Sequence, residues 1–192
     1  MNSSAPVFDK IILASGSPRR KEILNSVGWP FEAITAGIDE RQHAGEKPLD
    51  YVQRLAREKA EAVAGKLESG LVLGADTTVV VGDQLLGQPA DDNDARRMLE
   101  LLSGKWHEVL TGVALVRVGG QTIVDYARTR VRFVEMSEAE IDWYVSTGEP
   151  QGKAGAYAIQ GKAALFIEQI EGDYFNIVGL PIRLVYEMSD ML

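Results

Sequence analysis

The sequence predicts an α/β protein with a mixed sheet, and three observations carry that expectation. A short apolar run, Ile11-Ile12-Leu13-Ala14, leads through small residues into a helix start. A nearly unbroken apolar, β-rich stretch, Leu71 to Val81, sits between two helical patterns. Two long β-rich segments meet at Gly119-Gly120. The first two features mark strand–helix–strand units with strands buried on both faces, and the third marks an antiparallel hairpin.

Each element follows from local signals. After the first strand, Ser17 offers a helix N-cap, Pro18 suits the first turn and Gly28 is a stop. Phe31 to Thr35 alternates weakly as a second strand, and Pro48 opens a helical pattern to about Leu67. Beyond the central strand, Gly82-Asp83 turns the chain into Gln84-Leu85-Leu86. Asp91 to Leu102 reads as a helix with Ala95, Met98, Leu99 and Leu102 on one face, ending at Ser103-Gly104. Trp106 to Val118 and Gln121 to Val134 form the hairpin. Ser137-Glu138-Ala139-Glu140 is a capping box that opens a short helix ending at Gly148. Tyr157 to Ile159 and Ala164 to Ile170 read as late strands, and Pro181 to Met191 as a terminal helix.

At 192 residues, 45% hydrophobic, the chain is expected to form a single domain over 1–192, with 1–9 a flexible N-terminal extension. No run of about 18 apolar residues is present, and the first ten residues lack a signal-peptide pattern, so a cytoplasmic protein without membrane partners is expected. The absence of cysteine excludes disulfides and thiolate chemistry, and two histidines are too few for a multi-histidine zinc centre. A metal would be held by carboxylates, which favours Mg²⁺ or Mn²⁺. A net charge of -8 argues against a nucleic-acid polymer as partner, while leaving small phosphorylated ligands open.

Several residues carry chemistry. The loop Ser15-Gly16-Ser17-Pro18-Arg19-Arg20 follows a strand and opens a helix, where free N–H groups and forked guanidinium donors suit phosphate; an ordinary capped helix is the alternative. Asp76 is a lone carboxylate in an apolar strand, which calls for a cation, a metal, a reacting water or a structural ion pair. Glu40 lies just after the second strand, either near the same sheet edge or as a solvated loop acid. Lys59 shares a helix face with Val52, Leu55, Ala56 and Val63, so its ammonium either snorkels or enters a site. Gln160, in a small-residue turn, offers an amide to a base edge or is simply a turn residue. His107 reads as structural.

Taken together the motifs resemble the Maf family of nucleotide pyrophosphatases. The matching blocks include Leu13 to Arg20, Ile38-Asp39-Glu40, Leu55 to Ala60, Gly74 to Thr77, Leu102-Ser103-Gly104, Gly148-Glu149-Pro150, Lys153 to Tyr157, Ile159-Gln160-Gly161 and Val178 to Pro181, in family order over nearly the whole chain. The resemblance implies a strongly twisted mixed sheet flanked by helices, in two lobes with a central cleft, as in inosine triphosphate pyrophosphatases. It also implies hydrolysis of a nucleoside triphosphate to the monophosphate and pyrophosphate with a divalent cation, commonly by a homodimer. By the same resemblance Asp76 accepts the proton of the attacking water, Glu40 and Asp76 hold the metal, and Ser15, Ser17, Arg19, Arg20 and Lys59 bind phosphates.

Arg19, Thr77 and Gln160 match the branch of the family that acts on dTTP and UTP, rather than the branch that acts on 7-methyl-GTP. Two residues depart from the family pattern: Gln88 stands where a lysine is usual, and Gly152 where an aspartate is usual. The competing expectations are a pyrophosphatase that acts on 7-methyl-GTP or another modified nucleotide and, from these departures, a weakly active nucleotide-binding regulator of septum formation.

Overall fold

The computed structural model describes residues 10–192; the extension expected over 1–9 lies outside the described residues. In chain order the elements are β1 (Ile11–Leu13), α1 (Pro18–Ser26), β2 (Phe31–Ala33), α2 (Pro48–Ala64), β3 (Leu71–Val81), β4 (Gln84–Leu86), α3 (Asp92–Leu102), β5 (Trp106–Arg117), β6 (Thr122–Phe133), α4 (Glu138–Ser146), β7 (Ile167–Glu171), α5 (Tyr174–Val178) and α6 (Ile182–Ser189). The strands hydrogen-bond in the order β2-β1-β3-β5-β6-β7, with β4 on β3. β1 runs parallel to both β2 and β3, whereas β4 and β7 join antiparallel, so the sheet is mixed as expected.

The chain forms two compact units. Of the described residues, the first takes in 10–76, Thr111–Ala127 and Gly179–Leu192, and the second Thr77–Leu110 and Arg128–Val178.

In the first unit, α2 turns Val52, Leu55, Ala56, Ala60 and Val63 fully inward. Its backbone comes so close to the sheet that only glycine fits beneath it. A Cβ on Gly74 would lie 2.1 Å from the Ala56 carbonyl oxygen, and one on Gly112 2.2 Å from that of Val52. Glycine interrupts an apolar strand here because a helix rests on it.

In the second unit, Ala95, Met98, Leu99 and Leu102 of α3 join Phe133, Tyr144, Tyr157 and Phe166 in one core. Asp91 caps α3 by accepting the Asp94 N–H at 2.8 Å, and the capping box of α4 forms in full.

The late strands need correction. Tyr157 to Ile159 is not a strand: Gly155 and Ala156 have φ of 68° and 60°, and a turn follows at Ile159-Gln160. Left-handed residues cannot continue a ladder. The pattern misleads because Tyr157 and Ile159 are both buried with a more open residue between them, which mimics strand alternation. Ala164 does not open a strand either, since Lys162 to Leu165 form a 3₁₀ turn whose Lys162 and Ala163 N–H groups donate to the Glu149 carboxylate. The strand begins at Ile167.

α5 went unread in the sequence, although Asp173 accepts the Phe175 N–H at 2.8 Å in the manner of a cap. The remaining ends differ by a few residues, with α2 stopping at Ala64 rather than Leu67. Among the described residues no helix is long and apolar enough to cross a membrane.

Candidate active site

The loop after β1 is fixed from below. Ala14 N–H donates to Leu73 O at 2.8 Å, and Ser15 is buried. Ser15 Oγ accepts from Ser17 N–H at 3.2 Å and from Arg20 Nη1 at 3.0 Å. Ser17 occupies the N-cap position with extended backbone, yet its side chain makes no capping hydrogen bond, contrary to the sequence expectation. Its turn is held by the Ser15 hydroxyl instead. With no acidic residue in the first turn of α1, the positive end of this helix suits an anion.

Arg20 is buried and donates from Nε to Gly179 O at 2.8 Å, so it ties the loop to the segment before α6. Burial pushes its pKa down; Asp76 opposes that shift, Arg19 reinforces it and Glu40 opposes it. Arg19 is partly exposed.

Beside this loop the carboxylates converge on one ammonium. Lys59 Nζ lies 2.7 Å from Asp76 Oδ1 and 2.9 Å from Glu40 Oε1. Lys59 and Asp76 are 8% and 7% exposed, so the Lys59 ammonium does not snorkel into solvent and Asp76 meets a cation. Glu40 is an exposed loop acid that nevertheless reaches the pair. The close approach over Gly74 is what lets α2 set Lys59 against Asp76 two residues further along β3.

Burial pushes the Asp76 carboxyl up from its ordinary value, while Lys59 and Arg20 pull it down and Glu40 adds to the rise. A carboxylate with raised proton affinity, kept ionised by an adjacent ammonium, is equipped to take a proton from water.

Thr77, Gln88 and Gln160 belong to the second unit. Thr77 is partly exposed on β3; Gln88 is exposed just after β4, where Gly87 O accepts Gly155 N–H at 3.0 Å; Gln160 is exposed in the turn after Tyr157. Gly152 adopts φ of 70°, a conformation natural to glycine and less so to the aspartate usual there. His107 is buried, with Nε2 2.9 Å from the Tyr157 hydroxyl and its ring edge-on to Phe133 and Tyr157. This agrees with the structural reading.

The sequence names Gly74 only as part of a motif and does not point to its seating of α2, nor to Gly112, Tyr51 and Arg54, of which the last two reach the Glu40 segment from the polar side of that helix. A glycine inside an apolar strand was the available signal for the two glycines; Tyr51 and Arg54 read as ordinary surface.

Fold and site define a mixed-sheet α/β protein with an anion-type loop joined to a buried carboxylate–lysine centre. The chain belongs to the Maf-like protein family, whose model matches residues 10–192. It is 52% identical over 181 residues to a protein of Bacillus cytotoxicus named dTTP/UTP pyrophosphatase, covering 94% of each chain. A Bacillus cereus protein of the same name matches at the same identity and coverage. Among solved structures it is similar to the Staphylococcus aureus Ham1 protein, with a TM-score of 0.54 and 14% identity over 95% of this chain and 99% of that one, a likeness of fold alone.

Proposed function

We propose that the chain hydrolyses nucleoside triphosphates, dTTP and UTP first among them, to the monophosphate and pyrophosphate. The observation that carries this reading is 52% identity over 94% of relatives named for that activity. The Glu40–Lys59–Asp76 centre supplies groups suited to the chemistry. We read 10–192 as one family domain acting as a homodimer, with Thr77, Gln160 and Arg19 selecting the base.

In this account the loop Ser15 to Arg20 receives phosphate oxygens through the start of α1, with Ser17 and Arg19 as side-chain donors and Arg20 holding the loop in shape. Asp76 accepts a proton from the attacking water as the new P–O bond forms and the α–β phosphoanhydride breaks, releasing pyrophosphate. Lys59 keeps Asp76 ionised and offsets negative charge that develops on the phosphates.

A divalent cation fits this donor set. Glu40 and Asp76 already share one cation in Lys59, and among the described residues no third acidic or histidine ligand joins them. Mg²⁺ or Mn²⁺ is commonly held by one or two carboxylates, with water and substrate phosphates filling the other positions. When bound, the cation would supply charge neutralisation at the phosphate oxygens.

Pyrophosphate release measured with Mg²⁺ and with Mn²⁺ across dTTP, UTP, 7-methyl-GTP and the common triphosphates tests the reading. Preference for dTTP and UTP is expected. Preference for 7-methyl-GTP would overturn the base assignment, and tight nucleotide binding without any release would favour a regulator.

A further inference from the structure

We infer that Arg54, acting with Tyr51 and Glu46, is a positioning device that clamps the irregular segment bearing Glu40, so that this carboxylate meets Lys59. The inference rests on the role given to Glu40 above and extends it to residues that hold the backbone of the Glu40 segment.

The segment from Ile34 to Lys47 contains no helix or strand. Ile34 and Ala36 at its start pack against the core, but a depression of about 420 Å³, lined by Asp39, Arg41, Gln42, His43, Arg54 and Glu58, opens beside its later part. The Glu40 side chain is 56% exposed and reaches Lys59 at 2.9 Å. A long side chain on an irregular, solvated segment gives up rotamer freedom to keep one such contact, and exposed ion pairs are weak for that reason. Something must hold the backbone beneath it.

Helix α2 supplies that hold. The Tyr51 hydroxyl donates to the Glu40 carbonyl at 2.9 Å, and Arg54 Nη2 donates to the Arg41 carbonyl at 3.1 Å. Two consecutive peptide carbonyls are thereby fixed by side chains three residues apart on one helix, a spacing that places them on the same face. Arg54 also forks onto Glu46, with Nε 2.6 Å from Oε1 and Nη2 2.8 Å from Oε2, and Nη1 reaches Glu58 at 3.1 Å. Glu46 closes the far end of the segment by accepting His43 N–H at 3.0 Å, while its own carbonyl accepts from Gln42 at 2.8 Å.

The Arg54 and Glu46 side chains are 18% and 9% exposed, so this bidentate pair is shielded where most surface pairs are screened. Hydrogen bonds from Arg54 hold the Glu46 carboxyl down at about 2, and burial, with Asp76 and Glu40, pushes the Tyr51 hydroxyl up to about 12. Both groups keep their bonding states at neutral pH. Since α2 also carries Lys59, the clamp and the ammonium that Glu40 must meet ride on one rigid element.

The test uses the full chain with Arg54→Met, Arg54→Lys and the loop-side variant Glu46→Gln, each also combined with Glu40→Gln. Hydrogen exchange on the nucleotide- and metal-free protein reads the clamp directly. Amides of 38–47 should exchange about tenfold or more faster in Arg54→Met and Glu46→Gln, with peptides of β1 and α3 unchanged and Arg54→Lys intermediate.

In dTTP hydrolysis, Arg54→Met should lower kcat/KM about tenfold or more and raise the Mg²⁺ or Mn²⁺ concentration for half-maximal rate. Added to Glu40→Gln, it should cost less than about twofold more, because the clamp acts through Glu40. Unchanged exchange over 38–47, or a full independent loss on top of Glu40→Gln, would overturn the proposal. A wild-type chain without pyrophosphate release would instead overturn the proposed function, leaving the exchange data to decide whether the clamp exists.

Discussion

Among the described residues, the buried ionisable groups around Lys59 and around His107 are built on opposite rules. Around Lys59 the partners are carboxylates, at 2.7 and 2.9 Å, and Arg20 acts on the same pair. Around His107 the partners are aromatic: the Tyr157 hydroxyl at 2.9 Å, with Phe133 and Tyr157 rings edge-on at 5.1 and 5.4 Å. Burial pushes His107 down to about 3, so the ring is neutral at physiological pH, and Nδ1 has no hydrogen-bond partner among the described residues. Burial of an ionisable side chain therefore does not by itself mark a site. A charge kept alive by opposite charges can move a proton, whereas a group neutralised by apolar surroundings fills space.

Outside Asp76 itself, the largest effect on turnover comes from Lys59→Met. Loss of the ammonium removes the strongest pull on the Asp76 carboxyl, whose pKa then rises further, and at neutral pH the base is increasingly protonated. Turnover of dTTP should fall about 10²- to 10³-fold, the loss expected when a general base and its charge partner are uncoupled. Because the shift is upward, part of the rate should return as pH is raised; a pH–rate profile that keeps its wild-type shape would break the comparison.

A smaller effect is expected at Gln88, where the family usually has lysine. Gln88 is exposed, so Gln88→Lys should fold normally, and kcat/KM should rise about tenfold or more if the new charge makes a charge-assisted hydrogen bond worth about 1.5–3 kcal/mol. Steady-state kinetics decide the point: an unchanged or lower value would show that the chain does not need that charge.

The smallest effect on turnover belongs to the neutral cluster. His107→Phe should change kcat/KM less than about twofold while altering how stability depends on pH. His107 has a folded value of about 3 against an ordinary 6.5, so between those values the unfolded chain binds a proton that the folded chain does not. Its contribution is intact above pH 6.5 and is lost as pH falls towards 3, with a slope approaching about 1.4 kcal/mol per pH unit. Urea unfolding at several pH values should show that slope flattened in His107→Phe; an unchanged slope would mean the ring is charged in the folded protein.

The sequence makes the fold more legible than the site. Strand–loop–helix punctuation around Pro18, the apolar run of β3 and the Gly119-Gly120 hairpin are local signals, and the structure agrees with each. The region after Gly148 is harder to read, because Tyr157 and Ile159 alternate in burial without pairing, and Glu149, distant in sequence from the turn it caps, sets the chain direction at Lys162. At the site, Asp76 stands out as a carboxylate in an apolar strand. Lys59 is ambiguous until Gly74 is seen to bring α2 down onto β3. The Tyr51 and Arg54 clamp is invisible in sequence, since its value lies in two carbonyls of a segment that no periodicity describes.

The central claim, that the charged cluster performs the chemistry, is tested most directly by Asp76→Asn, with dTTP turnover and dTTP affinity measured on the same folded protein. The account predicts a fall in kcat of about 10²- to 10⁴-fold with metal-free dTTP affinity held within a few-fold, because the amide keeps the shape of Asp76 but cannot accept the proton. A variant that keeps half of wild-type turnover would contradict it.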